Sequence, residues 1–506
     1  PWTPTGPIEF VNVPSLTNDD TVALLSLAIS RPVSQASVER LRDALRLMLA
    51  NFGRPFSVVY TPPQDITEGY LQFVVIESVA GEVRVEGNRY FSADSYLSRM
   101  AQPVGEPITD AALNTGLDRI NRNAFRNAVT RVEPGTAPGT TDVVIQVQEQ
   151  RPWRFFGGYN NTGTRTTTED RINAGVNWGN ALGRGHQSTL QVITDLEAKY
   201  SRTLSGNYGL DLPGNQNLTV FGAYSEIESV PTDSLSQDGL SWQLGLNYDL
   251  PLGEWGPGYT HGLILGADFK VSDNNLEFAL PPTIIPVSDN LTQIAQVRAE
   301  YRGTLEDRFG ATSWGFALTG APGGLTAENT DEAFEGSRFG AKAAYVYGRF
   351  DASREVALDR WVPGMSWIAR GSFQLASGNL LGSEQMAAGG FGSVRGYEQG
   401  EVIGDNGVFV SQELNFPGFA IASRFAENAP RDRLSPFVFQ DYARVWNVDK
   451  LAGERPFNLM SVGAGARYQF SRHGNLQAAY GWQLRDSGSS DTGRDSHLHL
   501  SVNLSF

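Results

Sequence analysis

Two patterns of apolar and polar positions divide the chain near residue 150. Before that point, helical spacing alternates with short strand-like runs. In VERLRDALRLMLANFG (38–53), Leu41, Leu45, Met48 and Leu49 share one helical face, and Gly53 is a stop signal. FSVVY (56–60) and YLQFVVIES (70–78) predict strands. A second run repeats the order. EVRVEGN (82–88) predicts a strand, SADSYLSRM and TDAALNTGLDRINR predict helices capped by Ser92 and Thr109, and AVTRVEP and TDVVIQVQEQ predict strands. Each unit reads as strand, helix, helix, strand, strand over about 70 residues, so two tandem copies of one α+β module are expected.

From Trp153 onward the period becomes two. RINAGVNW sets Ile172, Ala174, Val176 and Trp178 against Asn173, Gly175 and Asn177. LSWQLGLNYDL sets Leu240, Trp242, Leu244, Leu246, Tyr248 and Leu250 against Ser241, Gln243, Gly245, Asn247 and Asp249. HLHLSVNLSF sets Leu498, Leu500, Val502, Leu504 and Phe506 against His497, His499, Ser501, Asn503 and Ser505. An apolar face with Trp and Tyr near strand ends, backed by Asn, Gln, Ser and Gly, suits a barrel with lipid outside and water inside. A soluble sandwich of this size needs more packed layers than one chain usually builds. A lectin-like array needs a fixed short period, which is absent.

Roughly sixteen strands are expected, centred near residues 156, 175, 191, 206, 222, 245, 266, 297, 315, 345, 370, 411, 440, 465, 480 and 501. An even count closes a bacterial barrel with both ends in the periplasm. Strand one follows the soluble modules in the chain, so odd strands run outward. The segment 377–404 after strand eleven is then the sixth extracellular loop. It contains FGSVRGYEQG (391–400), a Gly-rich stretch with one arginine.

Composition narrows the function. A net charge of −15 argues against nucleic acid, whose phosphates need a basic footprint. The chain has no cysteine, which removes disulfides, thiol catalysis and Cys-based metal sites. Glycine (55) and phenylalanine (27) are abundant, as turns and aromatic girdles require. No run of 18 apolar residues exists, so no transmembrane helix is expected, which leaves a β-barrel open. PWTPTGPIEF lacks a basic segment followed by an apolar run, so no signal peptide is expected within this numbering. No nucleotide-binding G-x-x-x-x-G-K-[ST] occurs. His497 and His499 share a face at i and i+2 without a third ligand in their strand, which favours lumen-facing polar residues over a metal site. Carboxylates are scattered, only five histidines exist, and no Ser-His-Asp arrangement has local support. Neither enzyme activity nor a cofactor or metal is expected.

Several segments carry a family resemblance. TPPQDITEG (61–69), with Pro62, Gln64, Ile66 and Gly69, resembles the P-x-Q-x-I/L-x-x-G segment in the first POTRA module of two-partner secretion transporters, the TpsB proteins. PGTAPGTTDVVIQVQEQRPW (134–153) resembles the end of their second POTRA. YNNTGT (159–164) and GNALGRGHQ (179–187) resemble their first strands and first periplasmic turn. Val394, Arg395, Gly396 and Tyr397 form the VRGY signature of the sixth loop across the wider BamA-like superfamily. GDNGVFVSQELNFP (404–417) resembles the twelfth strand. FVFQDYARV (437–445) resembles the F-x-D-x-G-x-V signature of the thirteenth, with Ala443 where the family usually has glycine. Phe506 matches the C-terminal aromatic of the barrel-assembly signal.

The resemblance covers nearly the whole chain and implies two α+β POTRA domains followed by a 16-stranded antiparallel transmembrane β-barrel. The expected boundaries are a tail (1–7), POTRA 1 (8–79), POTRA 2 (80–150) and a barrel (151–506) with a lumenal loop (377–404). The family often has a plug helix and linker before the first POTRA, and this chain starts almost directly at the module. The resemblance implies a Gram-negative outer-membrane location, with the POTRA modules in the periplasm. It implies a TpsA-like secreted exoprotein client, captured unfolded by the POTRA modules. Outer-membrane lipids and, during biogenesis, the barrel-assembly machinery are further expected partners. It also implies a lumenal pair between Arg395 and Asp441, and alternation gives Phe437 and Phe439 the same inward parity as Asp441. The expected function is export of a large β-helical exoprotein, powered by its folding outside. A BamA-like insertase is the alternative, although such proteins usually carry more POTRA modules. A plain porin is a further alternative, disfavoured by VRGY and the tandem modules.

Overall fold

The computed structural model describes residues 8–29, 31–67, 69–229, 235–280, 283–422, 431–488 and 495–506. The expected tail 1–7 lies outside the described residues. The chain divides into two compact units. One comprises residues 1–152 with the turn 179–186, and the other comprises the remainder from Trp153.

In the first unit, helices α1 (Asp19–Ser26) and α2 (Gln35–Asn51) precede a two-stranded sheet, β1 (Val58–Tyr60) and β2 (Val74–Ile76). Ser34 and Ser37 form a reciprocal capping box on α2. Leu45 and Leu49 are buried with Leu16 and Val59. The strand expected at the start of this module is not formed among residues 8–13. That segment packs through Phe10 instead. Asn12 takes a φ of 55° and Pro14 has no N–H, and both interrupt a ladder.

The second module follows its expected order: β3 (Val79–Glu86), α3 (Ala93–Leu97), α4 (Asp110–Asn121), β4 (Arg126–Pro134) and β5 (Thr140–Glu149). The Ser92 and Thr109 side chains cap α3 and α4 by accepting from the N–H groups of Ser95 and Ala112. Strand β5 lies between β3 and β4, parallel to the first and antiparallel to the second. Its central Val143, Val144 and Ile145 are fully buried.

The second unit is a closed antiparallel barrel. Its first eight strands are β6 (Trp153–Asn160), β7 (Arg171–Ala181), β8 (His186–Thr194), β9 (Ser201–Asp211), β10 (Asn217–Glu228), β11 (Leu235–Glu254), β12 (Tyr259–Leu280) and β13 (Thr283–Asp307). They continue with β14 (Gly310–Pro322), β15 (Ala344–Ala357) and β16 (Ser366–Ala376). A small hairpin, β17 (Met386–Ala388) and β18 (Val402–Gly404), stands apart from the wall. The wall resumes with β19 (Asn406–Asn415), β20 (Asp432–Trp446), β21 (Phe457–Phe470), β22 (Gly474–Gln483) and β23 (Ser496–Ser505). Pairing of β23 with β6, from Ser501↔Asn160 to Ser505↔Phe156, closes the ring. The closed order contains sixteen strands.

Directly opposed residues in an antiparallel ladder share a face, so the register defines the lumen from strand to strand. Ser353↔Arg370, Arg370↔Ser411, Ser411↔Asp441 and Asp441↔Ser461 trace one inward row across β15, β16, β19, β20 and β21. The opposite parity carries Leu244, Leu246, Phe316, Leu318, Val410 and Tyr480, all exposed on the outer face. A closed wall satisfies every strand edge internally, as a bilayer demands. Among the described residues no helix is long and apolar enough to cross a membrane.

Candidate functional site: the seat of the sixth loop

The connection from β16 to β19, residues 377–405, contains the β17–β18 hairpin and carries VRGY between its two strands. Tyr397 and Val394 are fully buried, in a cluster with Met386, Ala388, Val402, Val445 and Leu459. Ala443, the departure from the family signature, is fully buried in the same cluster. Its methyl group is accommodated there as an apolar contact.

Arg395 meets Asp441 through two side-chain bonds. Nε donates to Oδ2 at 2.8 Å and Nη2 to Oδ1 at 2.9 Å, the bidentate fork that suits a carboxylate. The Arg395 backbone N–H adds a third bond to Oδ2 at 3.0 Å. Nη1 donates to Glu413 Oε2 at 2.7 Å. Ser411 donates to Asp441 Oδ1 at 2.7 Å and accepts from Arg395 Nη2 at 3.3 Å. Arg467 Nη2 lies 2.8 Å from the other Glu413 oxygen. The site therefore holds two arginines and two carboxylates. The Arg395 and Asp441 side chains are only 7% and 0% exposed, so neither charge has water as an alternative partner. Burial works against the Arg395 charge, but the bonds and charges of Asp441 and Glu413 outweigh it and raise its pKa above the ordinary guanidinium value.

Aromatic faces complete the seat. The Arg395 guanidinium carbon is 3.6 Å from the Phe439 ring centroid, and that of Arg467 is 4.2 Å from the Phe437 centroid. Both rings lie over glycines of β21: a Cβ at Gly463 would overlap Phe439, and one at Gly465 would overlap Phe437.

The loop backbone also touches the wall directly. Gly396 has a φ of 97°, and a Cβ there would fall 3.0 Å from the Gly481 carbonyl oxygen. A Cβ on Gly481 would fall 2.6 Å from the Gly396 nitrogen. Gly396 N–H donates to His499 Nε2 at 3.0 Å, and its carbonyl accepts from Gln483 Nε2 at 2.7 Å. Phe391 stacks on the His499 ring at 5.6 Å. His499, weighed above for metal binding, is thus a hydrogen-bond acceptor for the loop, with His497 beside it. The Tyr397 hydroxyl donates to the Arg485 carbonyl at 2.6 Å and accepts from Met460 N–H at 3.1 Å.

Two more anchors hold the stem of the loop. Glu384, with a side chain 1% exposed, accepts from Lys270 Nζ at 2.7 Å, Tyr347 at 3.0 Å and Gln296 at 3.2 Å. Asp405, fully buried, accepts from Arg338 Nη1 at 2.5 Å and from the N–H groups of Leu380 and Val448. Arg338 follows helix α5 (Asp331–Ser337), whose Phe334 is buried against Leu380 and Leu381.

The remaining sequence-singled residues sit elsewhere. Gln64 accepts from Gln72 N–H at 2.7 Å and donates to the Gln72 carbonyl at 2.9 Å, which pins the 62–72 loop of the first module. Gly69 closes a turn at φ 86°, Ile66 is exposed, and Pro62 lies in the same loop. Phe506 exchanges backbone bonds with Phe155 at 2.8 and 3.0 Å, and its ring stacks on His473.

Sequence reasoning missed Glu413, Ser411, Arg467, Gly481 and the two stem anchors. Inward parity in VSQELN was the available signal for Ser411 and Glu413. No local signal pairs Gly396 with Gly481.

A sixteen-stranded barrel preceded by tandem α+β modules, with a VRGY loop seated inside, defines an outer-membrane POTRA-barrel protein, its modules in the periplasm. The chain belongs to the family described as haemolysin secretion/activation protein ShlB/FhaC/HecB, which it matches over residues 139–468. Residues 4–78 match the ShlB-type POTRA domain. The chain is 23% identical over 407 residues to the outer membrane transporter CdiB-2 of Burkholderia pseudomallei, an alignment covering 78% of this chain and 65% of that one, just under two thirds of its length. Its fold is similar to that of CdiB from Escherichia coli, with a TM-score of 0.79 at 17% identity, covering 100% of this chain and 92% of that one. It is also similar to BamA from Haemophilus ducreyi lacking POTRA domains 1–3, at TM-score 0.58 and 16% identity, covering 97% of each.

Proposed function

We propose that this chain is a two-partner secretion translocase that exports a TpsA-like exoprotein from the periplasm through its barrel, and that it is not an enzyme. The observation that carries this reading is the Arg395–Asp441 seat, which occupies the lumen of a barrel preceded in the chain by tandem modules. A porin needs no modules, and the ShlB-type POTRA match favours export over insertion of barrels. The modules present sheet edges at β1, β2, β3 and β4. On β1, Val58 and Tyr60 are exposed. An unfolded client adds to such edges through main-chain bonds that tolerate many sequences. Within this reading, 8–79 and 80–150 are the two POTRA domains, Pro62, Gln64, Ile66 and Gly69 shape the first, and Phe506 is the assembly signal read by the barrel-assembly machinery.

The test is deletion of the gene in its own bacterium, followed by comparison of culture supernatant and outer membrane. Loss of one large exoprotein with unchanged outer-membrane barrels is expected. Loss of barrels with the exoproteins unchanged would overturn export in favour of insertion. Complementation with Arg395→Ala or Asp441→Ala is expected to leave export impaired.

A further inference from the structure

Two cavities remain in the lumen around the seated loop. One of about 910 Å³ lies between the loop, at Met386, Gly389 and Gln399, and part of the inner face of β12–β16. Arginines there have carboxylates at hand: Arg302 pairs with Asp249, and Arg349 pairs with Asp351 at 3.1 Å. The other, of about 660 Å³, lies on β20–β23, at the end of the barrel where β6 begins. Two inward rows of the register line it. Arg433, Gln469, Asn475 and Asn503 oppose one another in turn across β20, β21, β22 and β23. Ser435, Arg467, Gln477 and Ser501 form the next row, adjoining Phe437 and Gly465 of the seat. Arg472 and His473, in the turn between β21 and β22, complete the lining. Three arginines therefore face this vestibule, and among the described residues no carboxylate lines it.

The three arginines differ in what they already hold. Arg467 is committed: Nη2 lies 2.8 Å from Glu413, and Nη1 donates to Asn415 Oδ1 at 2.8 Å. Arg433 and Arg472 are exposed, and among the described residues neither meets a carboxylate. Arg472 is oriented through Nε, which donates to His473 Nε2 at 3.1 Å, while His473 Nδ1 donates to the Ser505 carbonyl at 2.9 Å. In a chain of net charge −15, a cavity with positive charge alone on its walls is a local exception. We propose that this vestibule is a docking site for an acidic peptide segment, whose carboxylates pair with Arg433 and Arg472. The fork of arginine suits a carboxylate. The Asn and Gln side chains of the two rows offer both donors and acceptors, which match a peptide backbone. The volume is that of a ligand pocket, well beyond one inorganic ion. A cleft lined by one sign of charge concentrates the opposite sign within it. The site is separate from the loop's seat and from the sheet edges of the modules, and the export reading does not require it.

The test uses the full-length protein in lipid nanodiscs and a fluorescent Gly/Ser peptide carrying several glutamates, with matched peptides carrying glutamine or lysine in their place. Fluorescence anisotropy is expected to show saturable binding of the glutamate peptide alone, weakened by added salt. The double variant Arg433→Gln, Arg472→Gln is expected to weaken that binding about tenfold, as the loss of two exposed charge pairs implies. Barrel folding is checked by heat-modifiable migration. Equal binding by parent and double variant overturns the site, as does equal binding of the glutamine or lysine peptide. Inorganic phosphate that displaces the glutamate peptide at equal concentration assigns the vestibule to small anions and overturns the peptide ligand. Because the chain has no cysteine, Asn503→Cys gives a second readout that leaves every arginine in place. A glutamate peptide bearing one cysteine activated as a thiopyridyl disulfide is expected to be trapped in N503C, and its lysine counterpart is not. Equal trapping of both peptides, or trapping of neither, overturns the docking site.

Discussion

The two walls of the lumen use the same strand geometry for opposite ends. On β20–β22 the inward positions include glycines, small residues, one carboxylate, two phenylalanines and Arg467, and a loop backbone packs against them. Where β13–β16 line the cavity, the inward positions include arginine, serine, threonine and carboxylate, and space faces them. Charge alone does not distinguish them, since both carry arginine–carboxylate pairs. Burial does. At 7% and 0% exposure the Arg395–Asp441 pair has no solvent to fall back on, whereas Arg349–Asp351 has water on both sides. A buried pair fixes one arrangement, and an exposed pair permits many.

The contrast is broken most severely by Asp441→Ala. Arg395 then loses three hydrogen bonds and retains Glu413, a carboxylate already shared with Arg467. Removing one partner of a buried pair costs about 3–5 kcal/mol. The loop is expected to leave its seat, with single-channel conductance in planar bilayers rising above that of the parent and protease cutting within 391–400. Unchanged conductance and protection would show that the seat does not depend on the pair. Arg395→Lys sharpens the point, because lysine keeps the charge and loses the fork, so an intermediate conductance is expected.

Gly481→Ala comes next. It leaves every charge in place and adds one methyl group where 2.6 Å separates the would-be Cβ from the Gly396 nitrogen. Backbone cannot yield as a flexible side chain does, so partial displacement of the loop is expected, with Tyr397 losing its bonds at Arg485 and Met460. Its readout is protease sensitivity of the loop in a barrel whose heat-modifiable migration is unchanged. A loop as protected as the parent's would place the anchoring in the ion pairs alone.

Arg338→Ala tests the stem. Asp405 keeps two backbone N–H donors after the arginine is gone, so the loss is smaller than at Asp441. Burial still makes the lost partner felt, because a charge-assisted bond contributes about 1.5–3 kcal/mol. Loosening is expected at 377–385, read by hydrogen exchange, with exchange at 394–397 unchanged. Faster exchange at both segments would show that stem and tip move as one body.

Most of the architecture was legible because alternation is a property of each strand by itself. HLHLSVNLSF declares its two faces without knowledge of a neighbour, and the Ser92 and Thr109 caps declare two helix starts. The leading strand of the first module is a false expectation carried over from the order of the second, because Asn12 at φ 55° and Pro14 without an N–H interrupt a ladder there. The seat was half legible. Arg395 and Asp441 stand out through their motifs, but Glu413, Arg467 and His499 join them only through strand register across the closed ring. The contact between Gly396 and Gly481 has no side chain to announce it. The exposed wall was invisible for another reason: its arginines look like any polar inward position until the cavity is seen to face them.

The smallest expected effect is at that exposed wall. Arg349→Ser removes one member of a pair that water already screens, so a stability change below about 1 kcal/mol is expected, with no shift in the loop's protection. Conductance through the cavity should nevertheless change its ion preference toward cations, because Asp351 is left without its neighbouring positive charge. Reversal potentials across a salt gradient measure this directly. A large loss of stability from Arg349→Ser would mean that this wall, like the other, is built to hold one arrangement, and the distinction between the two walls would fall.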